Sequence, residues 1–195
     1  MAEVKVLALV GSLRAASLNR KIAELAVEVA PDGVAVTVFE GLADLPFYNE
    51  EIDDVMNTDA PALAAVDALR AAAADAEAAL VVTPEYNGSY PAVVKNAIDW
   101  LSRPPLDKVL AGKPVAIVGA GGRLGSARAQ YHLRQVCACL SMLAVPRPEL
   151  FVLNAWEKFD EQGRLKDELL ATQVGELLTA LADWTRLLRK ARESA

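Results

Sequence analysis

Short apolar runs alternate with longer amphipathic stretches along this chain, and that alternation limits its fold more than any other feature. Val4–Val10 (VKVLALV) reads as a buried strand and Ser17–Ala30 as a helix with Ile22, Leu25, Ala26 and Val29 on one face. Val34–Glu40 is a β-branched strand after the turn Pro31-Asp32-Gly33. An Ala-rich helix is expected from Pro61 to about Ala74, and a third strand over Ala78–Thr83. A helix from Pro91 to about Ser102 has its proline in the first turn, where the missing N–H costs nothing. Pro114–Gly119 is a fourth strand, Ser126 to about Leu143 a long helix, and Glu149–Leu153 a short fifth strand. The last helix is expected from about Leu165 to Arg192. Five strands alternating with five helices imply an open α/β sheet of parallel strands, covered on both faces. Right-handed crossovers leave few topologies, and the expected strand order is 2-1-3-4-5.

That order is the flavodoxin-like one, a three-layer α/β/α sandwich formed by a single domain over residues 1–195. The length suffices for a buried core, and 53% hydrophobic residues argue against disorder. A net charge of -6 argues against nucleic acid as partner, because phosphate backbones demand clustered Lys and Arg. No apolar run reaches 18 residues, so no membrane span is expected. The N-terminus lacks the basic, apolar and small-residue regions of a secretory signal. Cys137 and Cys139 diverge by about 200° on a helix, so neither a disulfide nor a metal site is expected. A reducing, cytoplasmic setting follows most simply.

In such a sheet ligands sit beyond the carboxyl ends of the strands, where the strand order reverses. Here that point lies between the first and third strands. The loop after the first strand, Gly11-Ser12-Leu13-Arg14-Ala15-Ala16-Ser17-Leu18-Asn19, combines hydroxyls, an amide and a guanidinium with a helix start. Free N–H groups and the helix dipole favour an anion there. The first turn carries Arg20 and Lys21 and no acid before Glu24, against the dipole preference, and a bound phosphate dianion would compensate. The other reading is an ordinary turn with Ser17 as N-cap and Arg14 in solvent. The loop matches neither a Walker sequence nor a dinucleotide fingerprint.

The loop after the third strand, Pro84-Glu85-Tyr86-Asn87-Gly88-Ser89-Tyr90-Pro91, offers flat amphipathic rings and an amide that both donates and accepts. A flavin ring requires that mixture, although Asn-Gly is also a common turn dipeptide. The third loop, Gly119 to Gly125, approximates a dinucleotide loop but follows the fourth strand and lacks the partner acid. Its glycines would let backbone approach a ring closely. No nucleophile–His–acid set is legible, the single His132 has no second histidine at metal spacing, and no catalytic side chain is expected.

Three segments in order, Gly11-Ser12-Leu13-Arg14 with Ser17 and Asn19, Pro84-Glu85-Tyr86-Asn87, and Lys95-Asn96-Ala97-Ile98-Asp99-Trp100, resemble the NADPH-dependent FMN reductase family. The stretch Arg128 to Arg134 is similar to its quinone and chromate reductase branch. The resemblance implies that Ser12, Arg14, Ser17 and Asn19 hold the FMN phosphate. It implies that Pro84, Glu85, Tyr86 and Asn87 frame the isoalloxazine, with Ser89 adding a contact and Gly121 and Gly122 as neighbours. Lys95, Asn96, Asp99 and Trp100 are assigned to holding that helix and loop in place. It further implies FMN as cofactor, NADPH or NADH as donor, and a small acceptor such as a quinone, chromate, an azo compound or free flavin. With no room for a separate nucleotide domain, donor and acceptor would use one flavin face in turn, a ping-pong scheme. A homodimer or homotetramer is implied, with the loop Leu45–Asn49 reaching across and Arg128, Tyr131 and Glu149 as polar contacts. The alternatives are a flavodoxin-type electron carrier, an FMN-binding regulatory module, and a receiver-type α/β protein. The last requires an acidic pair after the first strand, where Leu9-Val10-Gly11 has none.

Overall fold

The structure, a computed structural model, describes residues 3–53, 63–103 and 107–194. Its strands are β1 (Val4–Val10), β2 (Val34–Val38), β3 (Ala78–Val82), β4 (Pro114–Ala120), β5 (Leu143–Ala144) and β6 (Leu150–Val152). Its helices are α1 (Leu18–Glu28), α2 (Ala64–Asp75), α3 (Ala92–Leu101), α4 (Asp107–Leu110), α5 (Ala127–Cys139) and α6 (Glu168–Glu193). The expected start of the second helix at Pro61 lies outside the described residues.

All pairings are parallel and the order is β2-β1-β3-β4-β5, as the alternation requires. β1 reads as one continuous apolar run because both of its faces are covered. Val4, Val6, Ala8 and Val10 pack with Ile22 and Leu25 of α1 and Leu177 and Leu181 of α6. Leu7 and Leu9 pack on the other side with Leu69 of α2, Ile98 of α3 and Leu133 of α5. β3 and β4 alternate in the same way. Each fully buried aliphatic side chain contributes about 1.5–3 kcal/mol.

Two expected boundaries are corrected. The last helix begins at Glu168, N-capped by Asp167, and Leu165, its expected start, pairs with Phe159 instead. The fourth long helix ends at Cys139, not near Leu143. Ser141 turns left-handed (φ 56°) and the Met142 N–H returns to the Cys137 carbonyl at 2.8 Å, which closes the helix. Leu143 and Ala144 then join the first residues of β4 as a strand, and β6 joins its last three. The fifth place in the sheet is therefore shared end to end by two short strands.

Register brings the carboxyl ends level. Val10 pairs with Val82, and Val82 with Val118. The ladder runs one residue further into each loop: the Gly11 N–H donates to Val82 O at 2.8 Å and the Thr83 N–H to Val118 O at 2.9 Å. The loops after β1, β3 and β4 thus leave the sheet side by side.

Candidate functional site

Three links tie these loops together. Asn19, in the first turn of α1, is 5% exposed and uses both ends of its amide on one residue: Nδ2 donates to Ala120 O (3.3 Å) and Oδ1 accepts from Ala120 N (2.9 Å). The Tyr86 hydroxyl lies 3.5 Å from Ser12 Oγ, joining the second loop to the first. The Glu85 carboxylate accepts from the Arg128 N–H at 3.0 Å and from its Nε at 2.5 Å, joining the second loop to the start of α5.

The first loop presents unengaged donors at the start of α1. Ser17 is the N-cap of α1, its Oγ accepting from the Arg20 N–H at 3.1 Å. From Ser12 to Asn19, no backbone N–H makes a close, well-aligned hydrogen bond among the described residues, the Ser17 N–H facing the Arg14 carbonyl only loosely across the turn at Ala15-Ala16. Such a run of amides at a positive helix end concentrates partial positive charge with no counter-group. Ser12 and Ser17 are buried there, while Arg14 stands exposed and makes no ion pair among the described residues. The cations in the first turn do not contribute as expected. Arg20 is held by Glu40, just beyond β2, through two hydrogen bonds of 2.7 and 2.5 Å. Lys21 lies over the Phe159 ring at 5.6 Å. The local rule that α1 breaks is therefore compensated within the chain, from a residue 20 positions away.

The second loop is a two-residue hairpin. Tyr86 and Ser89 exchange both backbone hydrogen bonds, at 2.9 and 3.0 Å, around Asn87 (φ 50°) and Gly88 (φ 80°). Positive φ at both central residues is the type I′ turn that Asn-Gly favours. Pro84 is buried under this hairpin, while Tyr86 and Asn87 are exposed at its tip. Glu85 has a duty that the sequence did not disclose. α5 begins with Ser126 left-handed (φ 65°), without a side-chain cap and without an acid in its first turn. The Glu85 carboxylate, 10% exposed, supplies that cap from another loop.

In the third loop Gly122 is exposed, and a Cβ there would meet nothing within 4 Å, leaving an open surface. At Gly121 a Cβ would crowd the Ser126 nitrogen at 2.8 Å, so this glycine serves the chain's own turn. The tightest position is Gly119, at the end of β4.

Lys95, Asn96, Asp99 and Trp100 hold structure, as expected, though the loop they hold is the one after β2. Asn96 accepts from the Tyr48 N–H and donates to Pro46 O, each at 2.8 Å, and Trp100 Nε1 donates to Pro46 O at 2.9 Å. Lys95 pairs with Asp99 one turn on. Phe47 is left 79% exposed on this clamped loop. Arg128 and Glu149, expected as polar contacts between subunits, are engaged within the chain, with Glu85 and with Arg134 and Arg147 respectively. Tyr131 lies against Phe151, with ring centroids 5.9 Å apart.

Cys137 is buried, which pushes its thiol up to about 11, and Cys139 is exposed. Among the described residues no three His, Cys, Asp or Glu side chains group as metal ligands, and no helix is long and apolar enough to cross a membrane. A hollow of about 240 Å³ opens beside the first loop, between Arg14, Arg20, Glu40 and Leu42. A larger one, about 630 Å³, lies at the opposite, amino end of the sheet. Its cations are already engaged: Lys113 on Ala73 O and Ala76 O, Arg189 on Glu77, Arg192 on Gly112 O. The carboxyl-end loops, with unengaged amides, are the better candidate.

Residues 4–157 match the model of the family described as NADPH-dependent FMN reductase. The chain is 42% identical over 188 residues to an NAD(P)H-dependent FMN reductase of Pseudomonas aeruginosa, covering 96% of this chain and 98% of that one. It is 36% identical over 189 residues to a quinone reductase of Escherichia coli, with the same coverage. A solved flavoenzyme NAD(P)H:(acceptor) oxidoreductase from Paracoccus denitrificans superposes with a TM-score of 0.80 at 32% identity, over 94% of this chain and 97% of that one.

Proposed function

Because this chain belongs to the NADPH-dependent FMN reductase family, we propose that it binds FMN across the three loops and passes electrons from NADPH or NADH to a quinone or another small acceptor. The run of amides from Ser12 to Asn19 without close acceptors carries this reading, because a phosphate dianion satisfies them at once. Ser12 and Ser17 supply buried hydroxyls on the same loop, and Arg14 closes on the dianion from solvent. Asn19 acts at one remove, holding the end of β4 against the cradle. The hairpin Tyr86–Ser89, backed by Pro84 and steadied by Glu85, forms one wall for the ring, and Gly121 and Gly122 line the open side. When bound, FMN supplies the two-electron chemistry, and the protein supplies binding and orientation.

On a single domain, donor and acceptor take the same open face in turn, the ping-pong order. The names of the relatives favour such turnover over a flavodoxin-type carrier or a regulatory module. Chromate, azo compounds and free flavin are further acceptors that an open face admits. Purified protein is expected to be yellow and to bleach with NADPH under nitrogen. Protein that stays colourless with excess FMN would end the proposal. A charge-assisted hydrogen bond is worth about 1.5–3 kcal/mol, so Arg14→Ala is expected to weaken FMN binding by roughly ten- to a hundred-fold. Unchanged affinity in a fluorescence titration removes Arg14 from the site.

The same reading makes the protein a homodimer or homotetramer, with Phe47 as the anchor of the contact. A large aromatic, 79% exposed on a loop clamped by Asn96 and Trp100, is preorganised for burial against a partner. Light scattering is expected to give at least twice the chain mass for the wild type and a smaller assembly for Phe47→Asp. A monomeric wild type contradicts this part. The enzyme is placed in the cytoplasm, which supplies reduced nicotinamide cofactors, and cell fractionation that recovers it elsewhere would refute that.

A further inference from the structure

The hairpin that walls the ring is held from one side by a single face of α5. Arg128 and His132 stand one helical turn apart on that face. Arg128 engages Glu85 at the hairpin's entry, and its Cζ lies 3.9 Å from the Cβ position of Gly88. At the exit, the His132 ring accepts or donates at Nδ1, 3.0 Å from Ser89 Oγ. On its other side the one hydrogen bond to the hairpin's side chains, among the described residues, is the 3.5 Å contact between Tyr86 and Ser12. A two-residue hairpin pivots about its ends, so these two attachments set the angle at which Tyr86 and Asn87 meet a ligand.

We propose that His132, the only histidine in the chain, is a positioning residue for the flavin ring, acting through Ser89 on the hairpin Tyr86–Ser89. The proposal rests on the FMN reading above and adds to it a residue that touches neither phosphate nor ring. It requires only that the imidazole keep a hydrogen-bonding nitrogen at the Nδ1 position, since the serine hydroxyl accepts or donates as required. It also gives the Ser89 side chain to α5 rather than to the flavin.

The test uses the full chain stripped of FMN and titrated with it. His132→Phe and Ser89→Ala are each expected to weaken FMN binding about three- to tenfold, the range of one neutral hydrogen bond, and to shift the visible flavin band. The double variant is expected to be no weaker than either single one, because both remove the same bond. His132→Asn, which keeps a polar atom near the Nδ1 position, is expected to recover most of the loss. Because the chain has one histidine, its ring proton resonance is unambiguous and is expected to move when FMN saturates the wild type. A wild type that refuses FMN sinks the functional reading. A wild type that binds it overturns the positioning role alone in any of three cases. These are a His132 resonance that does not respond, a His132→Phe variant with unchanged affinity and spectrum, or losses that add in the double variant.

Discussion

Gly119→Ala is expected to lower the melting temperature by on the order of 10 °C and to abolish FMN binding with it. A Cβ at this position would lie 1.9 Å from the Thr83 carbonyl oxygen and 2.2 Å from Ser126 Oγ. The first neighbour is backbone, and it belongs to the central strand pair: the Thr83 N–H donates to Val118 O one residue away. No rotamer change relieves such a contact, so β3 and β4 must part where their loops leave the sheet. Overpacking in a core costs about 1–3 kcal/mol when side chains can shift, and more when backbone must. At a chain length near 200, each kcal/mol moves the melting temperature by about 2–4 °C. Gly122→Ala is the control, because a Cβ there meets nothing within 4 Å, and its melting temperature is expected to match the wild type. Thermal unfolding followed by circular dichroism checks both. A Gly119→Ala protein as stable as the wild type would mean that the two strand ends are not this close.

Asn19→Ala is expected to cost about 2–4 kcal/mol, because it strands two buried backbone groups rather than one. The amide of Asn19 satisfies both the N–H and the C=O of Ala120, and both residues are 5% exposed or less. Asn19→Asp keeps an acceptor for the Ala120 N–H but loses the donor to its carbonyl and buries a charge, so it is expected to be at least as costly. Ser17→Ala removes one N-cap bond and is expected to cost nearer 1 kcal/mol. Denaturant titrations separate the three variants. Equal stability of Asn19→Ala and wild type would show that water replaces the amide and that the tie between the first and third loops is dispensable.

Both predictions concern residues whose chemistry the sequence displayed and whose partners it hid. Asn19 was legible as a polar residue at a helix start beside a strand end, and the anion-cradle reading placed it on the phosphate. Its side chain instead reaches a strand 101 residues away. Glu85 was legible as part of a loop suited to a ring, yet its carboxylate caps a helix 43 residues on. Arg20 looked uncompensated because Glu40, its partner, lies in another element. Among the glycines of the third loop, nothing local set Gly119 apart from Gly121 and Gly122. What distinguishes it is the Thr83 carbonyl brought alongside by strand pairing. The boundary at Cys139 was missed because the run through Val145 is apolar at nearly every position, so its period identifies neither helix nor strand.

The sequence by itself determined the number and order of the main strands and helices, the edge of the sheet where three loops meet, and the presence of a turn at Asn87-Gly88, though not its type I′ geometry. Each of these follows from local periodicity, turn chemistry and the handedness of crossovers, which act over a few residues or apply to every chain. Only the tertiary structure decided which side chains at that edge remain available to a ligand and which hold loops together, and how one sheet position came to be shared by β5 and β6. Those outcomes turn on hydrogen bonds and sub-3 Å approaches between residues tens of positions apart, for which a linear pattern has no term.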